Sequence, residues 1–222
     1  MAHFISQSEE NYLKTLYKLT NKKTRKVNNI ALAKALDLNP ATVLEMIRKL
    51  SLRNLVRTLP DKTIELTETG RKTALLTIRK HRLWEVFLVD KLNYKWNEVH
   101  DLAEQLEHIQ SDDLIDRLEK FLDFPAVDPH GDPIPDKKGR VKNNPSIPLT
   151  AATPGKFYII KSLAETSDTF LDYLNKINLQ LGNLVRIDSI NDYDGSLEVT
   201  LGKKKLLLTD KTAINILVQM PA

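Results

Sequence analysis

The chain has 222 residues, a formal net charge of +4 and no cysteine. Its length favours two or three domains over one, and the absence of cysteine excludes disulfides, iron–sulfur clusters and thiolate zinc sites. Any metal would therefore be bound by nitrogen and oxygen ligands. The sequence contains no apolar run of the roughly 20 residues that span a bilayer and no signal-peptide pattern at its start, so we expect a cytoplasmic protein without a membrane partner.

The charges divide the chain into a basic part and an acidic part. Residues 1–72 contain 14 Lys and Arg against 7 Asp and Glu, residues 73–125 contain 7 against 11, and residues 126–222 contain 12 against 11. A basic segment suits a polyanion such as DNA, whereas an acidic segment that carries histidines suits cations. The pattern predicts DNA contacts in the first segment and metal ligands in the second.

Apolar spacing predicts three helices in the first segment, over residues 9–19, over residues 27–36 and from Pro40 to about residue 50. Asn39 is a favourable N-cap for the third helix. Pro40 suits the first helical position, because the backbone N–H that proline lacks has no partner within the helix there. Two short helices joined by a tight polar turn are typical of a helix-turn-helix.

A β-hairpin is predicted next, because residues 55–59 and 63–66 alternate around a turn at Pro60. In winged-helix proteins, such a hairpin contacts the sugar-phosphate backbone of DNA. The N-terminal end of the recognition helix, here the third predicted helix, contacts base edges in the major groove. For base contacts we select Thr42 and Glu45, since a glutamate accepts from the cytosine amino group. Any single basic residue is as often a solvated surface charge. The expected DNA-binding residues are Asn39, Thr42, Glu45, Arg48, Lys49, Arg53, Arg57 and Lys62.

The strongest chemical signal lies in residues 100–108, for which apolar spacing predicts a helix. Side chains three or four residues apart share a helix face, and a longer helix predicted over residues 67–92 offers the same spacing. The residues that these two faces present are His81, Glu85, His100, Glu104, Glu107 and His108. Imidazole and carboxylate ligands suit manganese and ferrous iron. By contrast, His130 lies in a Pro- and Gly-rich loop and is not expected to contribute.

The histidines have two other interpretations. A histidine and a glutamate on one helix are more often a surface pair than a metal site. His-x-x-Glu-His is a zinc-peptidase signature, but its first position is occupied here by Glu104. That residue removes a ligand imidazole, and a winged helix has no role in a peptidase. A metallohydrolase is therefore a remote alternative, and we expect neither an enzyme nor a small organic substrate.

The C-terminal part is predicted to be a small β domain. Residues 125–154 are rich in Pro, Asn, Gly and Lys and predict a linker that is ordered in part at most. A short helix over 170–179 is expected among strands over 156–163, 184–190, 196–201, 205–208 and 213–218. The expected domains are therefore residues 1–73, residues 74–124, a linker over 125–154 and residues 155–222.

Six segments occur in the order of a known family of regulators. They are SEENYL (8–13), LTETG (66–70), KHRLWE (80–85), VHD (99–101), EQLEH (104–108) and DPHGDPIP (128–135). They resemble the diphtheria toxin repressor and manganese transport regulator family. The resemblance implies a mainly α fold: a winged helix-turn-helix, a helical dimerisation and metal-binding domain, and an SH3-like, FeoA-like β-barrel. It also implies a homodimer on a palindromic operator that represses metal-uptake genes.

The resemblance assigns roles to the candidate ligands. It implies that Glu104, Glu107 and His108 are primary ligands of Mn(II) or Fe(II). It further implies an ancillary site in the iron-dependent branch, and a close metal pair that includes the His81 position in the manganese branch. The ancillary ligands that it implies are His81, Glu85 and His100.

Four positions qualify that assignment. Asn11 stands where the family has Met or Asp, and Lys14 stands where the manganese branch has a second acidic ligand. The charge of Lys14 would repel a second cation. Glu104 replaces the cysteine of the iron-dependent branch, which favours manganese over iron. Glu165 lies near the position of a further ancillary ligand in longer members.

The function expected from these residues is a DNA-binding repressor that metal activates through a population shift, so metal and operator strengthen each other's binding. The alternative is a constitutive winged-helix protein in which the metal is structural. The two differ in whether DNA affinity responds to a chelator.

Overall fold

The computed structural model describes residues 5–21, 26–142 and 145–221. It forms two compact units, which we call unit 1 and unit 2. Unit 1 comprises Met1–Trp84, Glu104–Arg117 and Pro135–Val141, and unit 2 comprises Glu85–Ala103, Leu118–Ile134 and Lys142–Ala222. Among the described residues, no helix is both long and apolar enough to cross a membrane.

Three helices and a hairpin form the N-terminal part of unit 1. They are α1 (Gln7–Asn21), α2 (Asn29–Leu36), α3 (Pro40–Leu52), β1 (Val56–Thr58) and β2 (Ile64–Leu66). The side-chain oxygen of Asn39 accepts from the backbone N of Ala41 at 2.8 Å, which confirms it as the N-cap of α3. Strands β1 and β2 pair antiparallel, and the apolar faces of all five elements share one core. The predicted winged helix-turn-helix is confirmed.

The longest helix, α4 (Glu68–Leu92), begins where the sequence predicts it. The Thr67 hydroxyl accepts from the backbone N of Gly70 at 3.1 Å and caps the first turn. A Cβ at Gly70 would lie 1.9 Å from the carbonyl oxygen of Leu55, so only glycine allows α4 to approach the wing this closely. Two further helices follow, α5 (His100–Leu106) and α6 (Asp112–Phe121).

An antiparallel sheet organises unit 2. The elements of this part are β3 (Ile147–Pro148), β4 (Phe157–Leu163), α7 (Asp168–Ile177), β5 (Leu184–Ile190), β6 (Leu197–Leu201), β7 (Lys204–Leu208), α8 (Asp210–Ala213) and β8 (Ile216–Gln219). The strand order in the sheet is β3-β8-β4-β5-β6-β7, with a shift of register in β4 and another in β5. The apolar core of this sheet is separate from that of the winged helix. The predicted class, mainly α with a small β domain, is confirmed.

The structure adds detail to the sequence predictions in one region and differs from them in another. Residues 125–154, predicted as a linker ordered in part at most, contain the buried Asp128 and His130, strand β3 paired with β8, and a 3-10 helix over Leu149–Ala151. Alternation is absent there because the ordering contacts come from distant strands. The predicted strand over 213–218 instead begins at Ile216, after the short helix α8. The domain limits themselves stay a prediction.

Candidate metal centre and DNA-binding surface

The buried face of α1 carries three charged residues. Glu9, Glu10 and Lys14 are at most 4% exposed, although they alternate with apolar core residues. Burying a charge without a partner is costly, so each of these side chains requires an opposite charge nearby. Those partners lie in distant parts of unit 1: Glu10 and Lys14 belong to the first cluster described below, and Glu9 pairs with residues at the end of α3.

Glu10 connects α1 to α4 and to the turn after α5. Its Oε2 lies 2.6 Å from Nδ1 of His108, and its Oε1 accepts from Nζ of Lys80 at 2.8 Å and from Nε2 of Gln110 at 3.2 Å. In the neutral imidazole, Nδ1 then carries the proton, which leaves the lone pair of His108 on Nε2. Glu10 thereby fixes which nitrogen of His108 can bind a metal.

Lys14 bridges two carboxylates. Its Nζ donates to Oε1 of Glu104 at 2.6 Å and to Oε1 of Glu107 at 2.5 Å. The other oxygen of the fully buried Glu107 lies 2.6 Å from Nδ1 of His81. Burial would raise the pKa of Glu104, but the Lys14 ammonium outweighs it, with a smaller contribution from His81, and the pKa is lowered.

These side chains form the first cluster, the carboxylate cluster. Its members are Glu10, Lys14, Lys80, His81, Glu104, Glu107 and His108. Nε2 of His108 lies 3.7 Å from Oε1 of Glu107, and the buried Oδ1 of Asn11 accepts no hydrogen bond from the residues that the structure describes. Imidazole nitrogen and carboxylate and amide oxygen are ligands that manganese and ferrous iron accept. The donor set therefore fits such an ion.

The loop cluster consists of Glu85, Asp128 and His130 in unit 2. All three are buried, and one ligand atom from each lies within 4.8 Å of the others. Nδ1 of His130 is 4.0 Å from Oε2 of Glu85, while Nε2 donates to the backbone oxygen of Trp96 at 2.9 Å. This arrangement leaves Nδ1 of the neutral ring as the acceptor that faces Glu85. The loop cluster is a second group that could hold a metal.

The backbone shapes the loop cluster. Oδ1 of Asp128 accepts from the backbone N of His130 at 2.8 Å and from that of Asp132 at 3.0 Å. The oxygen of His130 accepts from the backbone N of Leu163, which attaches the loop to β4. Gly131 has a φ of +86°, and a Cβ there would lie 2.0 Å from the carbonyl oxygen of Lys161. Glycine is therefore required at this position.

The structure places some of the predicted ligands differently from the sequence prediction. Helix α5 ends at Leu106, so the prediction of one continuous helical stripe is wrong for Glu107 and His108, which lie in the turn that follows. His100 is exposed, with its Nδ1 3.7 Å from Oε1 of Glu85. Glu165 accepts from Ser167 and Asn215, and it is in neither cluster of described ligand atoms.

Sequence reasoning missed Glu10, Asp128 and His130. The prediction that His130 is unremarkable is wrong, since it is buried beside two carboxylates. Asp-Pro-His-Gly places two ligand types on either side of a proline and before a glycine, and this spacing is the signal that could have found them. Glu10 lies four residues before Lys14 on α1, so the two share its buried face.

The exposed face of α3 carries most of the predicted DNA contacts. Thr42, Glu45, Arg48 and Lys49 are exposed. Arg53 is partly buried, because its guanidinium binds both oxygens of Glu9 at 2.7 Å.

Glu9 holds the end of α3 against α1. Burial would raise the pKa of Glu9, but Arg53, the backbone of Ser6 and Lys49 outweigh it and lower the pKa to about 2. The Nζ of Lys49 lies 3.3 Å from Oε1 of Glu9. Part of the predicted basic patch therefore has a structural role.

The charged side chains of the wing also pair with residues of this domain. Arg57 on β1 pairs with Glu65 on β2 at 2.7 Å, and Lys26 pairs with Asp61 at 2.6 Å. Lys62 is exposed at the tip with a φ of +65°, where it extends into solvent. Of the two predicted wing contacts, Lys62 thus stands at the tip, whereas Arg57 already has a partner on the neighbouring strand.

A winged helix combined with a buried set of carboxylate and imidazole groups defines the class of metal-responsive DNA-binding proteins. Three family models match: iron dependent repressor, N-terminal DNA binding domain, over residues 5–64; iron dependent repressor, metal binding and dimerisation domain, over residues 67–136; and FeoA domain, over residues 147–220. The chain belongs to this family of iron- and manganese-dependent repressors.

Among its relatives is the iron-dependent repressor IdeR of Mycobacterium bovis, 39% identical over 126 residues, or 57% of this chain. The matched region spans about half of that relative, 54%. The diphtheria toxin repressor of Corynebacterium diphtheriae is 31% identical over 221 residues, covering 95% of this chain and 96% of the relative.

Solved structures agree over nearly the whole chain. A manganese-dependent transcriptional repressor in complex with manganese superposes with a TM-score of 0.86 at 34% identity, covering 96% of this chain and 100% of the other. ScaR with bound Cd2+ superposes with a TM-score of 0.80 at 32% identity, covering 96% and 99%. The FeoA model that matches residues 147–220 accounts for the C-terminal β domain.

Proposed function

We propose that this protein is a transcriptional repressor of metal-uptake genes whose affinity for DNA depends on Mn(II) or Fe(II). One observation carries the proposal: two consecutive residues of α1 connect to the two sites. Glu9 binds Arg53 and Lys49 at the end of α3, and Glu10 binds His108 in the carboxylate cluster. A displacement of α1 relative to His108 would therefore also act on the recognition helix.

The ligands that we assign in the carboxylate cluster are Glu104, Glu107, His108 and His81, with Asn11 as a further oxygen donor. In the loop cluster we assign Glu85, Asp128 and His130, with His100 beside Glu85. A bound divalent ion supplies a fixed positive charge among these carboxylates. Glu10 holds His108 in the tautomer whose Nε2 is the acceptor, and Lys80 neutralises Glu10.

Coupling between the two sites is a free-energy relation that works in both directions. If an ion favours the arrangement of α1 in which α3 fits the major groove, operator DNA must raise affinity for that ion by the same factor. We assign base contacts to Thr42 and Glu45 and a phosphate contact to Arg48, on the exposed face of α3. The proposed assembly is a homodimer on a palindromic operator in the cytoplasm.

The proposal is tested by fluorescence anisotropy on the protein's own promoter fragment at fixed salt. The protein is titrated in chelator and then with Mn(II), Fe(II) and Zn(II) separately. We expect weak binding in chelator and strong binding with Mn(II) or Fe(II). Equal affinity in chelator and in every metal would overturn the proposal and favour the alternative of a constitutive DNA-binding protein with a structural metal.

A matched pair of variants locates the DNA surface. Arg48→Ala should weaken binding to all sequences and lower the slope of log K against log salt by about one unit, because one phosphate contact is lost. Arg117→Ala removes another exposed arginine, which pairs with Asp113 on α6, and it should leave the slope unchanged. Equal salt slopes for the two variants would show that Arg48 on α3 does not contact the DNA backbone.

A further inference from the structure

Lys14 occupies the place between Glu104 and Glu107 that a cation bridging two carboxylates would take. Its ammonium is 2.6 Å from one carboxylate and 2.5 Å from the other, and the residue is only 4% exposed. Surface lysines rarely hold one position, because side-chain entropy and solvent compete with the ion pair. Here burial on α1 removes that competition, so the ammonium is a fixed part of the cluster.

The charge balance of the carboxylate cluster depends on this ammonium. Three carboxylates, of Glu10, Glu104 and Glu107, are in contact with the two ammonium groups of Lys14 and Lys80, which leaves one net negative charge when the histidines are neutral. One divalent ion changes this to one net positive charge. A second would bring it to three in a buried space, where repulsion is weakly screened.

Displacing the Lys14 ammonium to admit a second divalent ion is also unfavourable. Its removal strips the ammonium from the fully buried Glu107 and leaves the imidazole of His81 as the contact of that carboxylate, in place of a full positive charge. Nε2 of His108 lies 3.7 Å from Oε1 of Glu107, the same oxygen that accepts from Lys14, so an ion held by this nitrogen would share Glu107 with the lysine. The cluster thus has room in its charge balance for one further cation beside the lysine.

We propose that Lys14 acts as a built-in cation that limits the carboxylate cluster to a single divalent ion. The inference rests on the proposed function only in that this cluster binds metal. It specifies the regulation of that site, because the response to metal then follows one binding event in this cluster. Replacing Lys14 by glutamate lowers the cluster charge by two, which is the charge of one divalent ion.

The test compares Mn(II) bound per chain, measured by equilibrium dialysis with MnCl2 alone, in the wild type and in Lys14→Glu. We expect the variant to bind one more ion, and its electron paramagnetic resonance spectrum to show exchange-coupled Mn(II) where the wild type shows isolated ions. The result is the difference in bound Mn(II) between the two proteins, so ions bound in the loop cluster of both do not affect it. Lys34→Glu adds the same carboxylate at an exposed position of α2 and should keep the wild-type count.

Equal counts in wild type and Lys14→Glu, or coupled Mn(II) in the wild type, would overturn the inference. These readouts use no DNA, so a failure of the proposed repressor function leaves them unaffected. If Lys14→Glu does not fold, Lys14→Gln decides: it should keep the wild-type count and bind Mn(II) roughly tenfold more tightly, because a repelling charge is gone. Unchanged or weaker affinity in Lys14→Gln contradicts the inference.

Discussion

The carboxylate cluster and the loop cluster contain the same types of ligand but are assembled by different forces. The first draws residues from α1, α4, α5 and the turn after α5 and joins them by buried ion pairs. The second centres on a loop whose backbone hydrogen bonds orient Asp128 and attach His130 to β4. The stability of the carboxylate cluster should therefore be sensitive to substitutions that remove a charge, and that of the loop cluster to substitutions that alter the backbone.

The largest effect is expected from removing a charge in the carboxylate cluster. Lys80→Met leaves the buried Glu10 without its ammonium partner, which should lower the free energy of unfolding by about 3 to 5 kcal/mol. Urea denaturation in chelator measures it. Lys72→Met, an exposed lysine on the same helix, is the control and should cost little. Similar costs for both would refute an electrostatic assembly.

A backbone change should instead disrupt the loop cluster. Gly131→Ala introduces a Cβ 2.0 Å from the carbonyl oxygen of Lys161, and we expect a loss of about 3 kcal/mol, together with weaker metal binding at this cluster. Gly155 has a similar φ of +81° with open space around it, so Gly155→Ala isolates the backbone term and should cost about 1 kcal/mol. Equal losses in urea denaturation would mean that the close approach at Gly131 is unimportant.

The two clusters should also differ in their coupling to DNA. His108→Ala removes the ligand that Glu10 joins to α1, so it should reduce the Mn(II)-dependent gain in DNA affinity by about a hundredfold. His130→Ala should keep most of that gain, since His130 is attached to Trp96 and β4 in unit 2. Anisotropy on the promoter fragment measures both variants. A greater loss in His130→Ala would reverse the assignment of the two clusters.

The smallest effect concerns Glu9, next to Glu10. Its pKa is lowered from 4.5 to about 2 on folding, so its stabilising contribution is full above pH 4.5 and is lost as the pH falls towards 2. Glu9→Gln should cost on the order of 2 kcal/mol at neutral pH, and wild type and variant should converge in acid. Thermal unfolding in chelator from pH 7 to pH 2.5 measures this. A difference that does not change with pH would contradict the ion pair with Arg53.

Local patterns predicted much of unit 1. The cap at Asn39 and the apolar spacing of α1, α3 and α4 determine structure within a few residues, so they are visible in the sequence. The pairing of Glu10 with His108 joins residues 98 positions apart, and no periodicity reports it. For the same reason, the sequence predicts that Lys14 repels a second cation, but it does not reveal that Lys14 bridges two carboxylates.

The turn after α5 shows a second limit. Spacing of three and four residues placed Glu107 and His108 on a helix, but α5 ends at Leu106. The side chains still converge, because Glu107 is held by Lys14 and His81, and His108 by Glu10. The ligand identities can therefore agree with a helical pattern although tertiary contacts, not the helix, bring the groups together.

The Asp128 carboxylate has a consequence for the entropy of ligand binding. Its Oδ1 already accepts two backbone N–H groups, so the rotamer is selected during folding and Oδ2 has a defined direction. A free aspartate or glutamate side chain would lose rotational freedom when it captured an ion, at a cost of about 0.5 to 1.5 kcal/mol. At Asp128 that freedom is lost when the loop folds, which makes the loop cluster a preorganised receptor with little left to order.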